Sequence, residues 1–274
     1  MTPAGAPANP AHDFVVADGI RLHLLDYGGR GRPIVLLHGV GGHAWMWAEI
    51  APALAEIGRP LALDLRGFGE SQWSDDRAYA TEDHRDDLAR VAGALELGRV
   101  DLVGFSWGGL VALAYTAAYP DRVRRLVIID IAPSSALAET ALPPGITGRF
   151  ADHAEAVEAQ RRLAPRASDA QLEIMAAFDT RSHPDGGLET RRDPLFLERW
   201  PFRADDRWDE LRALDAPTLV VRAADSVVLS PAEAEQMVAE APAARLVTVP
   251  EAGHLVVLEQ PAAVRRTLVE FLRG

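Results

Sequence analysis

The chain contains no cysteine among its 274 residues. That excludes disulfides, thiolate metal centres and a cysteine nucleophile. It has no dense basic block either: 28 Lys and Arg stand against 40 Asp and Glu, for a formal net charge of −12. An acidic surface repels phosphate backbones, so no nucleic-acid partner is expected. No apolar run approaches the roughly 18 residues that a membrane span needs, so no membrane partner is expected. Residues 1–10 carry neither a basic n-region nor an apolar core, and do not read as a secretory signal. With the missing cysteines, that suits a cytoplasmic protein. Residues 1–12 are expected to be a frayed tail before the fold begins near Asp13.

What is present is hydrophobic content of 48%, enough for a large core. Short apolar runs alternate with longer helical patterns. Residues 14–16 and 20–25 flank Asp18-Gly19, a hairpin signal. A continuous apolar run follows at 33–37, as expected for a strand covered on both faces, and the largely apolar segments 61–65, 100–103, 123–131, 218–221 and 244–249 read the same way. Helical patterns occupy about 44–57, 81–96, 107–119, 231–241 and 261–273. Ser230, Pro231 and Glu233 make a good helix start, with a cap, a first-turn proline and a capping box. Alternating strand and helix imply a mostly parallel sheet flanked by helices, so the fold class is α/β. The rhythm breaks at 133–213, which has helical character, the turn Pro143-Pro144-Gly145 and no convincing strand. This is read as a helical cap inserted between the two parts of a core domain, 13–132 and 214–274.

The chemistry concentrates at Gly104-Phe105-Ser106-Trp107-Gly108, which joins an apolar strand to a buried-looking helix. A turn that sharp crowds its neighbours, so glycines two positions either side of Ser106 relieve contact and leave the hydroxyl presented at the sheet edge. A serine that merely caps a helix would not need both glycines. His38-Gly39-Val40-Gly41-Gly42 follows an earlier strand and is suited to turn backbone N–H groups toward Ser106. The N–H groups of Val40 and Trp107 are the expected oxyanion donors. His38 is expected to order that loop and not to react. Of eight histidines, His254 alone follows the last apolar strand and precedes the final helix. His23 falls in the early hairpin, His84 on a surface helix pattern, and His153 and His183 in the insertion. His254 is therefore the expected general base.

Taken together, four segments resemble the α/β-hydrolase superfamily. They are Leu37-His38-Gly39-Val40-Gly41-Gly42, Asp64-Leu65-Arg66-Gly67-Phe68-Gly69-Glu70-Ser71, Val103-Gly104-Phe105-Ser106-Trp107-Gly108-Gly109 and Gly253-His254. The resemblance runs from about Phe14 to Gly274. It implies an eight-stranded, mostly parallel sheet with an inserted helical cap, and nucleophile, acid and base in that chain order. The Asp64–Ser71 stretch corresponds to a structural turn. The Gly-Phe-Ser-x-Gly-Gly form resembles aryl esterases and cofactor-free haloperoxidases.

The acid departs from the family pattern. Relatives usually carry Asp after the seventh strand, but here that slot, four residues before Pro231, is Val227. Asp225 lies two residues earlier and is the first choice, provided the loop bends to bring it forward. Asp130, at the end of the neighbouring strand, is the alternative.

The leading expectation is hydrolysis of a carboxylic ester or lactone through an acyl-enzyme, with no metal and no organic cofactor. The alternatives are C–C bond hydrolysis or perhydrolysis by the same triad, or a non-catalytic ligand-binding pocket. Haloalkane dehalogenase and epoxide hydrolase chemistry are disfavoured, because those relatives carry Asp at the nucleophile position. Phe178, Leu195, Phe196, Trp200, Phe202 and Trp208 in the insertion, with Trp45 and Trp47, suggest a small uncharged hydrophobic substrate. Packing of the cap onto the core accounts for at least half of them.

Overall fold

The computed structural model describes residues 10–134, 148–198 and 206–274. The expected hairpin is β1 (Ala11–Ala17) and β2 (Ile20–Asp26), reversed at Asp18 and Gly19 with φ of 47° and 83°. Next come β3 (Pro33–Leu37), β4 (Arg59–Leu63), β5 (Val100–Phe105) and β6 (Val123–Ile129). Three short strands follow: β7 (Arg149–Phe150), β8 (Thr180–Ser182) and β9 (Leu188–Thr190). The chain then returns to the main sheet with β10 (Thr218–Ala223) and β11 (Ala244–Val249). Eight strands form one sheet in the order β1-β2-β4-β3-β5-β6-β10-β11. Pairing is antiparallel at β1/β2 and β2/β4 and parallel from β4 onward.

The continuous apolar runs are explained by two cores, one on each face. Alternate residues of a strand point to opposite sides, so β3 sends Val35 and Leu37 to one core, and Ile34 and Leu36 to the other. The helices are α1 (Ala51–Leu54), α2 (Thr81–Ala94), α3 (Trp107–Ala118), α4 (His153–Leu163), α5 (Asp169–Asp179), α6 (Trp208–Arg212), α7 (Pro231–Glu240), α8 (Val256–Glu259) and α9 (Pro261–Arg273). Residues of α2, α3 and α7 fill the first core; residues of α1 and α9 fill the second. Ser230 caps α7 by accepting the Glu233 N–H, and Glu233 reaches back to the Ser230 N–H. None of the described helices is long and apolar enough to cross a membrane.

Two expectations about elements need correction. The single helix read over 44–57 is a 3-10 turn, Ala44–Trp47, followed by the short α1. Pro52 explains the break: it has no N–H for a continuing ladder and is tolerated only in a first turn. The segment at 133–213 is not purely helical. Besides α4, α5 and α6, its described residues form the antiparallel sheet β7-β9-β8, closed by a turn through Gly186 and Gly187 with φ of 94° and 70°. Strands of two or three residues are too short for an alternation to register. Pro143, Pro144, Gly145, Trp200 and Phe202 lie outside the described residues, as does most of the expected tail.

The aromatic residues that are described mostly pack. Trp45 stacks on Phe178 at 4.0 Å, which fastens α5 to the turn after β3. Phe196 sits against Phe68 and Tyr79 at 4.3 and 4.8 Å, and the Trp208 indole donates to Ser134.

His84 also departs from expectation. It is fully buried, edge-on to Trp107 at 4.4 Å, and neither ring nitrogen has a partner among the described residues. Burial holds its pKa well below the usual histidine value. It lowers His43 likewise, and His38 to about 4. A depressed folded-state value means that the unfolded chain binds more protons as acidity rises. Stability is therefore expected to be flat above pH 6.5 and to fall as pH drops from there toward 4. His38 alone would contribute on the order of 3 kcal/mol. Thermal melts across this range check it, with His84→Phe expected to melt higher and to lose less on acidification. A melting temperature unchanged from pH 7 to 5 would contradict the account.

Candidate active site

In open parallel sheets, ligands bind beyond the carboxyl ends of the strands. Three loops meet there. Ser106 follows β5, Asp130 follows β6, and His254 lies five residues beyond the end of β11. Ser106 has φ 51° and ψ −128°, a strained conformation for a residue with a side chain. Its N–H continues the sheet ladder to the Ile129 carbonyl at 2.8 Å, and α3 begins at the next residue. The flanking glycines are required by close approach. A Cβ on Gly104 would overlap the Gly108 carbonyl, and one on Gly108 would fall 2.5 Å from the His38 oxygen.

The three side chains form one hydrogen-bonded line. The Ser106 hydroxyl donates to His254 Nε2 at 3.0 Å, and His254 Nδ1 donates to Asp130 Oδ2 at 2.8 Å. This tautomer follows from the partners, since a carboxylate only accepts. Phe105 lies against the imidazole, with ring centroids 5.0 Å apart. Ser106 is 8% exposed and Asp130 is sealed from solvent.

Asp225, the first choice as acid, is corrected by this geometry. Its carboxylate turns away and pairs with Arg166 at 2.9 Å, half exposed. Its N–H is bound to the Ala252 carbonyl, which fixes the turn in that orientation. Asp130 has φ 54°, and its N–H bonds the Val221 carbonyl, so its carboxylate is driven into the space beside β10. There Oδ1 accepts the Ala223 N–H at 2.8 Å, and Oδ2 accepts the Ser226 hydroxyl as well as His254. Val227, in the usual slot, points to solvent at 89% exposure. Ser226 was not singled out by sequence; its one signal is adjacency to Asp225.

The loop after β3 presses on Ser106. A Cβ on Gly39 would fall 2.8 Å from Ser106 Cβ. A turn closed by the Gly42 N–H on the Gly39 carbonyl places Val40 and Gly41 at its tip. Among the described residues the Val40 N–H has no acceptor, and Trp107 opens α3, at the helix's positive end. His38 ties the loop down: Nδ1 donates to the Gly39 carbonyl at 2.7 Å, and Nε2 accepts the Leu65 N–H at 3.0 Å. Leu65 belongs to the turn that Asp64 organises. That carboxylate accepts from the Ala44 and Glu70 N–H groups and from His23. Burial pushes Asp64 up, but the His23 hydrogen bond and the nearby histidines hold it below the usual carboxylate value.

Gly39→Ala tests how closely this loop fits. The added methyl must displace either the loop or Ser106. Turnover is expected to fall roughly 100-fold, the size of losing one oxyanion donor. Steady-state kinetics on an aryl ester would read it, and an unchanged kcat would refute the close fit.

A strained serine on a strand-to-helix turn, an imidazole after the last strand and a glycine loop beside them define an α/β-hydrolase arrangement. The chain belongs to the alpha/beta hydrolase fold family, which matches residues 32–261. An esterase of Mycobacterium tuberculosis is 31% identical over 91% of this chain and 84% of its own length. Its crystal structure superposes with a TM-score of 0.78, covering 97% of this chain and 92% of that one. A 2-hydroxymuconate semialdehyde hydrolase of a Pseudomonas species is 30% identical over 94% of this chain and 92% of its own. The structure of an E-2-(acetamidomethylene)succinate hydrolase, 24% identical, shares the fold with a TM-score of 0.88 over 97% and 100% of the two chains.

Proposed function

We propose that the protein is a serine hydrolase of carboxylic esters or lactones, with Ser106 as nucleophile, His254 as general base and Asp130 as acid. The supporting observation is the unbroken line from the Ser106 hydroxyl through His254 to the buried Asp130. The Ser106 hydroxyl attacks the acyl carbon as its proton passes to His254 Nε2. The N–H groups of Val40 and Trp107 hold the oxyanion, whose negative charge develops only in the transition state. The imidazolium then gives its proton to the leaving alcohol, and the ester bond breaks. Water, deprotonated by the same nitrogen, releases the acid product and regenerates Ser106. Asp130 keeps the proton on Nδ1 and stabilises the imidazolium formed in each half-reaction. The substrate is read as small and hydrophobic, and a chain without cysteine suits the cytoplasm.

C–C bond hydrolysis is the second reading, favoured by the full-length likeness to the 2-hydroxymuconate semialdehyde hydrolase. A panel of aryl esters, lactones and vinylogous diketones, run on wild type and Ser106→Ala, separates the two. Hydrolysis of the diketone alone would displace the ester reading. A fluorophosphonate that fails to label Ser106 would remove both.

A further inference from the structure

A second polar group faces the glycine loop from the cap side. Arg192, just beyond β9, is buried, with 9% of its side chain exposed. Two of its three nitrogens are held. Nε donates to the Thr190 hydroxyl and Nη2 to Asp179 Oδ2, each at 3.0 Å. Thr190 in turn donates to the other oxygen of Asp179. The guanidinium is thereby fixed in orientation, and Nη1 is left with no partner among the described residues. Nη1 is not sealed from solvent. It lies directly over Gly41: a Cβ there would come within 2.9 Å of it. Gly41 has φ 75° and only glycine leaves room, so loop and guanidinium fit one another. Gly39, against Ser106, is two residues back, at most about 7 Å along the chain.

We infer that Arg192 Nη1 binds a carboxylate on the acyl part of the substrate, a few atoms from the carbonyl that Ser106 attacks. The inference rests on the hydrolase reading above and narrows its substrate class. An Nη1–H held in a fixed direction and within reach of solvent can exchange its water for a ligand group. A carboxylate takes that place with a short charge-assisted hydrogen bond. Asp179 balances the charge, so recognition comes from the directed Nη1–H and not from a general positive field. This matters in a chain of net charge −12, which otherwise repels anions. The aromatic content suggests a wholly uncharged substrate; a short acyl chain ending in a carboxylate fits the polar contact on the cap side instead.

The test compares para-nitrophenyl hemisuccinate with the near-isosteric para-nitrophenyl pentanoate. Arg192→Met is expected to lower kcat/KM for the hemisuccinate at least tenfold more than for the pentanoate. Arg192→Lys keeps the charge without the rigid fork and should fall between. Removing one member of a buried pair threatens folding, so Arg192→Met with Asp179→Leu provides a second arm. Fluorophosphonate labelling of Ser106 reports whether each variant retains its site. A ratio that does not change in either arm overturns the inference. Should the wild type cleave neither ester and take no fluorophosphonate at Ser106, the hydrolase reading fails by itself. Succinate then probes the subsite directly: a melting temperature raised in wild type but not in Arg192→Met supports it, and no rise in either overturns it.

Discussion

Asp130→Asn is expected to lower kcat about 10⁴-fold, the size of the same change in the serine-protease example, while Asp225→Asn leaves it within a few-fold. An amide at position 130 still fills the space and still accepts from Ala223, but its NH₂ meets His254 Nδ1 donor to donor. The ring then takes the other tautomer, with the proton on the nitrogen that must accept from Ser106. Asp225 contributes only a half-exposed pair with Arg166, and such pairs are worth little. Steady-state rates on one activated ester, with melting curves to confirm folding, decide between the residues. A severe loss at 225 and a mild one at 130 would reverse the assignment. The same logic makes Ser226→Ala an intermediate case, because it removes one of the groups that orient the acid and leaves the carboxylate.

Ser106→Ala is expected to have the larger effect, a fall in kcat of about 10⁶-fold, comparable with nucleophile removal in subtilisin. The residual rate reflects the backbone donors, which are untouched. Two readouts should fail together: a burst of product on rapid mixing, and covalent labelling by a fluorophosphonate. Alanine at φ 51° is no more comfortable than serine, so the substitution relieves no backbone strain. The melting temperature should therefore stay close to that of the wild type. A variant that retains a tenth of the activity would show that another group performs the attack.

Much of this was legible in the chain, for identifiable reasons. A parallel strand buried on both faces reads as an unbroken apolar run, so residues 33–37 match β3 at both ends; β11, at the sheet edge, is only partly buried and admits Arg245 and Thr248. Gly104 answers to local crowding by Gly108, which acts over a few residues and is visible in a short window, whereas Gly108 is pressed by the loop after β3. The acid was not legible, because it turns on where loops end in space. Asp225 and Asp130 look alike in sequence, and only the positive φ of Asp130 and the hydrogen bond from Asp225 to Ala252 separate them. His84 follows a helix pattern that reads as exposed, yet Tyr79 and Trp107 cover it from other elements. Arg192 stood in a polar run, Thr190-Arg191-Arg192-Asp193, that carried no catalytic signature. Its relation to Gly41 joins segments about 150 residues apart.

Ser106 and Asp130 emerge from β5 and β6, which lie side by side, and both of their N–H groups still belong to the sheet ladder. The backbones that carry Ser106 and Asp130 are therefore held at an inter-strand spacing of about 4.8 Å, set by the stiffest lattice in the molecule. Thermal motion that loosens the cap should leave this pair in register. In amide exchange, the protons at positions 106 and 130 belong with those that open only when the whole domain unfolds, while those of the small β7-β9-β8 sheet exchange early.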